Sequence, residues 1–141
     1  MANIIPDAFK SELLSGTHNF ANGGNSFKIA LYTNISGFSA SSTAYSATGE
    51  VSSSGTSYPA AGQALDSQAV AVASNVAYVD FADEVFSSVT LSAVGAIIYN
   101  DTNADKLVVV LDFGGTKTAT NGDFTIQFPA AGASTAILRI A

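Results

Sequence analysis

Apolar residues recur at helical spacing in only one part of the chain, near its start. In IIPDAFKSELLSG, Ile5, Phe9 and Leu13 share a face with Leu14 beside them, Pro6 stands at a first-turn position, and Gly16 follows as a stop. This pattern predicts one short helix over about residues 6–15. Its stripe, with Phe9 and Leu13 at the centre, has two uses: to cap the chain's own β structure or to dock on a neighbouring subunit. Short helices draw most of their stability from packing on their own core, which favours the cap.

After Gly24 the period falls to two. SFKIALYT sets Phe27, Ile29 and Leu31 against Lys28, Ala30 and Tyr32, and DFTIQF sets Phe124, Ile126 and Phe128 against Thr125 and Gln127, so each is expected to keep one wet face. SVTLSAVGAIIY, KLVVVLDF and STAILRI are apolar at both parities in places, as strands covered on two sides should be. QAVAV and NVAYVDF add two more. Seven or eight short strands between Gly, Asn and Ser clusters predict an all-β fold, an antiparallel β-sandwich or barrel of jelly-roll-like kind, as a single domain over residues 1–141. Asn121-Gly122 is expected to form a two-residue type I′ hairpin turn between KTAT and DFTIQF, with Pro129 closing the second strand.

Residues 34–60 fit neither period. They form a long Ser/Thr/Ala/Gly-rich segment anchored only by Ile35, Phe38, Tyr45, Val51 and Tyr58. Structureless stretches of this length are uncommon inside compact domains and are usually functional. The segment is therefore expected to be a contact arm, poorly ordered alone and ordered on a partner, with Phe38, Tyr45 and Tyr58 as interface candidates beside Phe9 and Leu13.

Composition narrows the function classes. Hydrophobic residues make up 48% of the 141-residue chain and charged residues 11%, so Ser, Thr, Asn, Gly and Ala must cover much of its surface. Five Lys and Arg against eleven Asp and Glu give a net charge of −6, which repels phosphate backbones and argues against nucleic acid as a partner. With no cysteine there is neither disulfide nor thiolate zinc site. The N-terminus shows no targeting pattern, and no apolar run approaches the ~20 residues of a membrane span. Synthesis and folding in a host cytoplasm, without a membrane partner, are expected.

Candidate chemistry is sparse. In DTNADKLVVVLD, Asp101, Asn103, Asp105 and Asp112 match positions 1, 3, 5 and 12 of a calcium loop, but Lys106 replaces the required glycine and the aliphatic run should extend as a strand, so a plain turn explains the residues better. His18 has no cysteine to activate and reads as a buried or capping histidine. Asp80, Asp83 and Glu84 offer a possible carboxylate pair for glycoside hydrolysis, against a simpler role in turns and caps. No phosphate-cradling glycine loop occurs. No catalytic, cofactor or metal residue is assigned, and enzymatic activity is not expected.

The succession FKSELLSGTHNF, FKIALYTN, TAYSATGEVSSSGTSYPAAGQAL, VDFADEVFSSVTLSAVGAIIYND and LVVVLDFGG resembles a family of small virion structural proteins of tailed bacteriophages, from about Phe9 to Gly115. Its most specific pieces are Ile29-Ala30-Leu31-Tyr32, Glu50-Val51 with Gly55 and Tyr58, Phe81-Ala82-Asp83, and Gly95 to Asn100. Where family members often carry Asn-Glu-Val and Gly-Tyr followed by Gly-Gly, this chain has Gly49-Glu50-Val51 and Ser57-Tyr58-Pro59-Ala60-Ala61-Gly62. The resemblance implies a particle component without catalytic residues. The acidic composition suits an outer location, away from packaged DNA. The expectation is a capsid-surface decoration or cement protein in the virion, binding the major capsid protein or other virion proteins as a homo-oligomer, with a trimer favoured. Two alternatives remain: a tail, neck or fibre component, and a carbohydrate-binding module using Phe38, Tyr45 and Tyr58 as stacking platforms.

Overall fold

A computed structural model describes residues 2–141. Among them, one helix, α1 (Asp7–Leu14), precedes seven strands: β1 (Phe27–Tyr32), β2 (Gln63–Ala64), β3 (Ala69–Ala73), β4 (Val76–Asp80), β5 (Glu84–Asn100), β6 (Lys106–Ile126) and β7 (Leu138–Ile140). They form two antiparallel sheets packed together, a four-stranded sheet in the order β2-β1-β5-β6 and a three-stranded sheet in the order β3-β4-β7.

α1 starts after Pro6, and the Asp7 N–H donates to the Ala40 carbonyl, so a loop residue from the arm satisfies one orphan donor of the first turn. Gly16, at φ +79°, ends it: the Gly16 and Thr17 amides turn back to the carbonyls of Leu13 and Glu12, the paired bonds of a Schellman motif.

Both faces of the four-stranded sheet are buried along β1, the end of β5 and the start of β6. Phe27, Ile29 and Leu31 pack into the main core with Phe9, Phe20, Phe81, Phe86 and Leu138, while Ala30 and Tyr32 pack into a second core with Ile35, Phe38, Ile97 and Tyr99. The wet face expected for β1 is therefore covered, and what covers it is the arm. DFTIQF does keep an exposed face at Thr125 and Gln127.

The Asn121-Gly122 hairpin is not formed. β6 runs straight through it, and Asn121, at φ +47°, sits in a bulge opposite Thr90, whose hydroxyl accepts the Asn121 N–H at 3.0 Å. A left-handed Asn serves a bulge as well as a turn. The two-residue turn with both central residues at positive φ lies instead at Ser74-Asn75 (φ +51° and +64°), joining β3 to β4.

Candidate functional site

The arm that was expected to reach a partner is folded onto its own subunit. Ile35, Phe38, Val51 and Tyr58 are buried, and the Phe38 ring meets Tyr32 edge to face with centroids 5.2 Å apart. The polar centre of this packing is Glu50. Its carboxylate accepts hydrogen bonds from the Tyr45 hydroxyl (2.5 Å), the Tyr58 hydroxyl (2.8 Å) and the Ala61 amide (2.8 Å), and the Tyr58 oxygen in turn accepts the Leu31 N–H. Burial, reinforced by Glu50, pushes both tyrosine hydroxyls well above their ordinary range, which keeps them protonated as donors. Gly62, at φ +83°, follows the clamp; any side chain there would run into the Ile29 carbonyl. With Phe38 and Tyr58 buried and Tyr45 half-buried, these rings offer little open face to a sugar or to a neighbouring subunit.

Phe9 is likewise buried and Leu13 half-buried, both packed on the main core, so the helical stripe caps its own subunit. Next to it the fold leaves a cleft of about 860 Å³ between α1 with the 16–21 loop on one side and β4 with β7 on the other. Its lining is apolar, and its lips carry Ile5, Leu14, Val70 and Ile140, all exposed, with Lys10 and Arg139 as the charged groups.

Behind the cleft lies a buried polar anchor. Asn100, fully buried at the end of β5, accepts the Thr102 and Asn103 amides on Oδ1, which fixes its amide orientation and aims Nδ2 at His18 Nδ1 (3.1 Å) and Asn25 Oδ1 (3.0 Å). His18 Nδ1 is thus the acceptor, and the neutral ring carries its proton on Nε2. That nitrogen faces Glu12 Oε1 at 3.6 Å, and neither atom has a hydrogen-bond partner; the other Glu12 oxygen pairs with the Lys106 ammonium at 2.9 Å. Burial holds the imidazole below its ordinary pKa, against the opposing pull of Glu12. The cluster ties α1 and the 17–25 loop to the turn after β5. It is a structural anchor that sequence reasoning saw only as a lone histidine, since Glu12, His18, Asn100 and Lys106 meet only through the tertiary fold.

Of the calcium-loop candidates, Asn103 is bonded into this cluster through its amide on Asn100 Oδ1. The 101–105 turn closes the β5–β6 hairpin with Ala104 and Asp105 at left-handed φ, and the Asn103 side chain donates to the Thr17 carbonyl. Asp112 lies well along β6, paired with Gly95, roughly 20 Å up the strand from Lys106 at ~3.3 Å per residue. The Gly114 amide on its carboxylate holds it below the usual carboxylate range. Asp83 accepts the Phe128 amide at 2.8 Å, and the buried Glu84 accepts the Gln63 side-chain amide. Burial raises the Glu84 pKa, with Gln63 opposing. These acids hold strand ends together, and no group of three or more His, Asp or Glu among the described residues is placed to share a metal ion.

Comparison with known proteins finds no matching family model, no matching curated protein and no matching solved structure.

Proposed function

We propose that this chain is a structural protein of a tailed-bacteriophage particle, a capsid-surface decoration or cement protein that binds the major capsid protein and acts by contact rather than by catalysis. The observation that carries the reading is the exposed apolar rim of the cleft, where Leu14 is 91% and Ile140 58% exposed on a chain so poor in charge. Large apolar side chains grouped at the mouth of an apolar cleft suit a surface that another protein covers. The resemblance of residues 9–115 to virion proteins supplies the kind of particle, and the net charge of −6 favours a place away from packaged DNA. A subunit that binds only the assembled shell stabilises it by mass action.

The test is made on particles. Particles lacking the protein, or carrying Leu14→Asp, should assemble but lose shell integrity on heating at a lower temperature than the parent. Leu14 is chosen because its exposure spares the fold. Particles that keep full heat stability and lose adsorption to host cells would place the protein on the tail or a fibre instead.

A further inference from the structure

We infer that β3 is a self-pairing edge, and that two copies of the chain join across a two-fold axis by antiparallel pairing of β3 with β3. The inference rests on the assembly role proposed above and names the partner and the surface.

Sheet edges elsewhere in the molecule are managed. Along β6, Val110 is bridged by Ile4 and Lys106 by Ala44; beyond them the edge is broken by bulges and carries Lys117. Leu31 of β1 takes the Val51 amide where β2 does not reach, and Phe27 takes the Leu65 amide. β7 is three residues long with Arg139 in its centre. These are the usual ways of keeping an edge from pairing with another chain. Among the described residues, β3 has none of them. It is regular and five residues long, all five exposed, with Val70 at 53% and Val72 at 71%, and β4 is its one strand partner.

The sequence says what fits there. Residues 67–79 contain no charge, so two copies of an acidic chain can approach at this edge without like-charge contact. Ala69-Val70-Ala71-Val72-Ala73 also reads the same in both directions. Antiparallel pairing centred on Ala71 therefore sets Val70 opposite Val72 of the second copy, and Ala69 opposite Ala73, whichever parity of amides points outward. That is the self-complementarity an isologous contact requires, and it gathers four valines on one face of a continuous six-stranded sheet. A three-fold arrangement would need β3 to pair with the neighbour's β7, a shorter ladder with an arginine against valine or alanine.

The absence of native cysteine allows a direct test on the free chain. Ala71→Cys should form a disulfide-linked dimer under mild oxidation, because residues directly opposite in an antiparallel pair have Cα atoms about 4.5–5.5 Å apart, within disulfide reach. Ala69→Cys alone should not, since its expected neighbour is Ala73 of the second copy; mixing Ala69→Cys with Ala73→Cys should restore the cross-link. In sedimentation equilibrium, Val72→Lys should weaken dimerisation by roughly tenfold or more, with unchanged circular dichroism showing that the variant is folded. A wild-type chain that stays monomeric to millimolar concentration, a trimer indifferent to Val72→Lys, or equal cross-linking of the Ala69→Cys and Ala71→Cys chains would overturn the inference. Dimerisation through β3 with no effect of the protein on particle stability would leave the inference standing and refute the capsid cement role.

Discussion

Residues 34–60 and 67–79 are both nearly uncharged, the first carrying Glu50 and the second no charge at all, yet Phe38 and Tyr58 are 6% and 2% exposed whereas Val70 and Val72 are 53% and 71% exposed. The arm has widely spaced large anchors, Ile35, Phe38 and Tyr45 packing into the second core and Val51 and Tyr58 into the main core, and one carboxylate that gathers two tyrosine hydroxyls and a backbone amide. In the second region, strand β3 has only alanine and valine in strict alternation, with β4 as its strand partner on one side and open backbone on the other. Low charge alone thus does not mark a contact surface. What separates the two regions is whether the apolar side chains are large enough, and far enough apart, to be satisfied within the subunit.

The largest effect expected from this difference is in the arm. Phe38→Ala should lower the unfolding free energy by about 3–4 kcal/mol, the usual cost of truncating a buried phenylalanine, whereas Val72→Ala should change monomer stability by no more than about 0.5 kcal/mol. Urea titrations of the two variants at monomeric concentration give the comparison; equal losses would erase it. Glu50→Ala comes next, at about 2–3 kcal/mol, because it strands the buried Tyr58 hydroxyl and the Ala61 amide. Tyr45→Phe, which removes one bond at a half-buried position, should cost about 1 kcal/mol in the same titration.

The polar anchor predicts a smaller, pH-dependent effect. Because burial depresses the folded pKa of His18 below 6.5, the unfolded chain takes up a proton that the folded chain resists. The stability associated with neutral His18 is therefore complete above pH 6.5 and is lost as pH falls below that value toward the depressed folded pKa. Thermal midpoints of the wild type and His18→Gln, followed from pH 8 downward, should differ in slope below 6.5, with the variant the flatter. Parallel slopes would mean that the ring titrates as freely in the fold as outside it. The smallest expected effect is none: excess calcium or chelator should leave the thermal midpoint unchanged, since a ligand of the folded state must raise it. A rise of several degrees would assign the 101–105 turn a metal.

The strands were legible where side-chain alternation or an apolar run decides the matter: Phe27 to Tyr32, Phe124 to Ile126, and the paired runs ending β5 and beginning β6. The join of KLVVVLDF, KTAT and DFT into one strand was not, because Gly114-Gly115 and Asn121-Gly122 carry residues that turns and bulges both accept, and only pairing with β5 selects the bulge. The arm's anchors were visible, but their destination was misread. The sign was present in β1, where Ala30 and Tyr32 are no more polar than a covered face needs. The β3 edge was invisible, as an Ala-Val alternation says nothing about which neighbours arrive. The His18 anchor likewise depends on residues 82 positions apart, His18 and Asn100.

Amide hydrogen exchange on the chain, first at monomeric concentration and then assembled, tests most directly the claim that the arm belongs to the subunit and the β3 edge to its partners. The amides of Val51 and Leu107, bonded between the arm and the sheet, and of Tyr45, bonded to Asp105 in the β5–β6 turn, should be protected in both states, while outward-facing amides of Ala69–Ala73 exchange freely in the monomer and become protected on assembly. An arm that exchanges rapidly in the monomer and gains protection only on assembly, with β3 unchanged, would contradict the account.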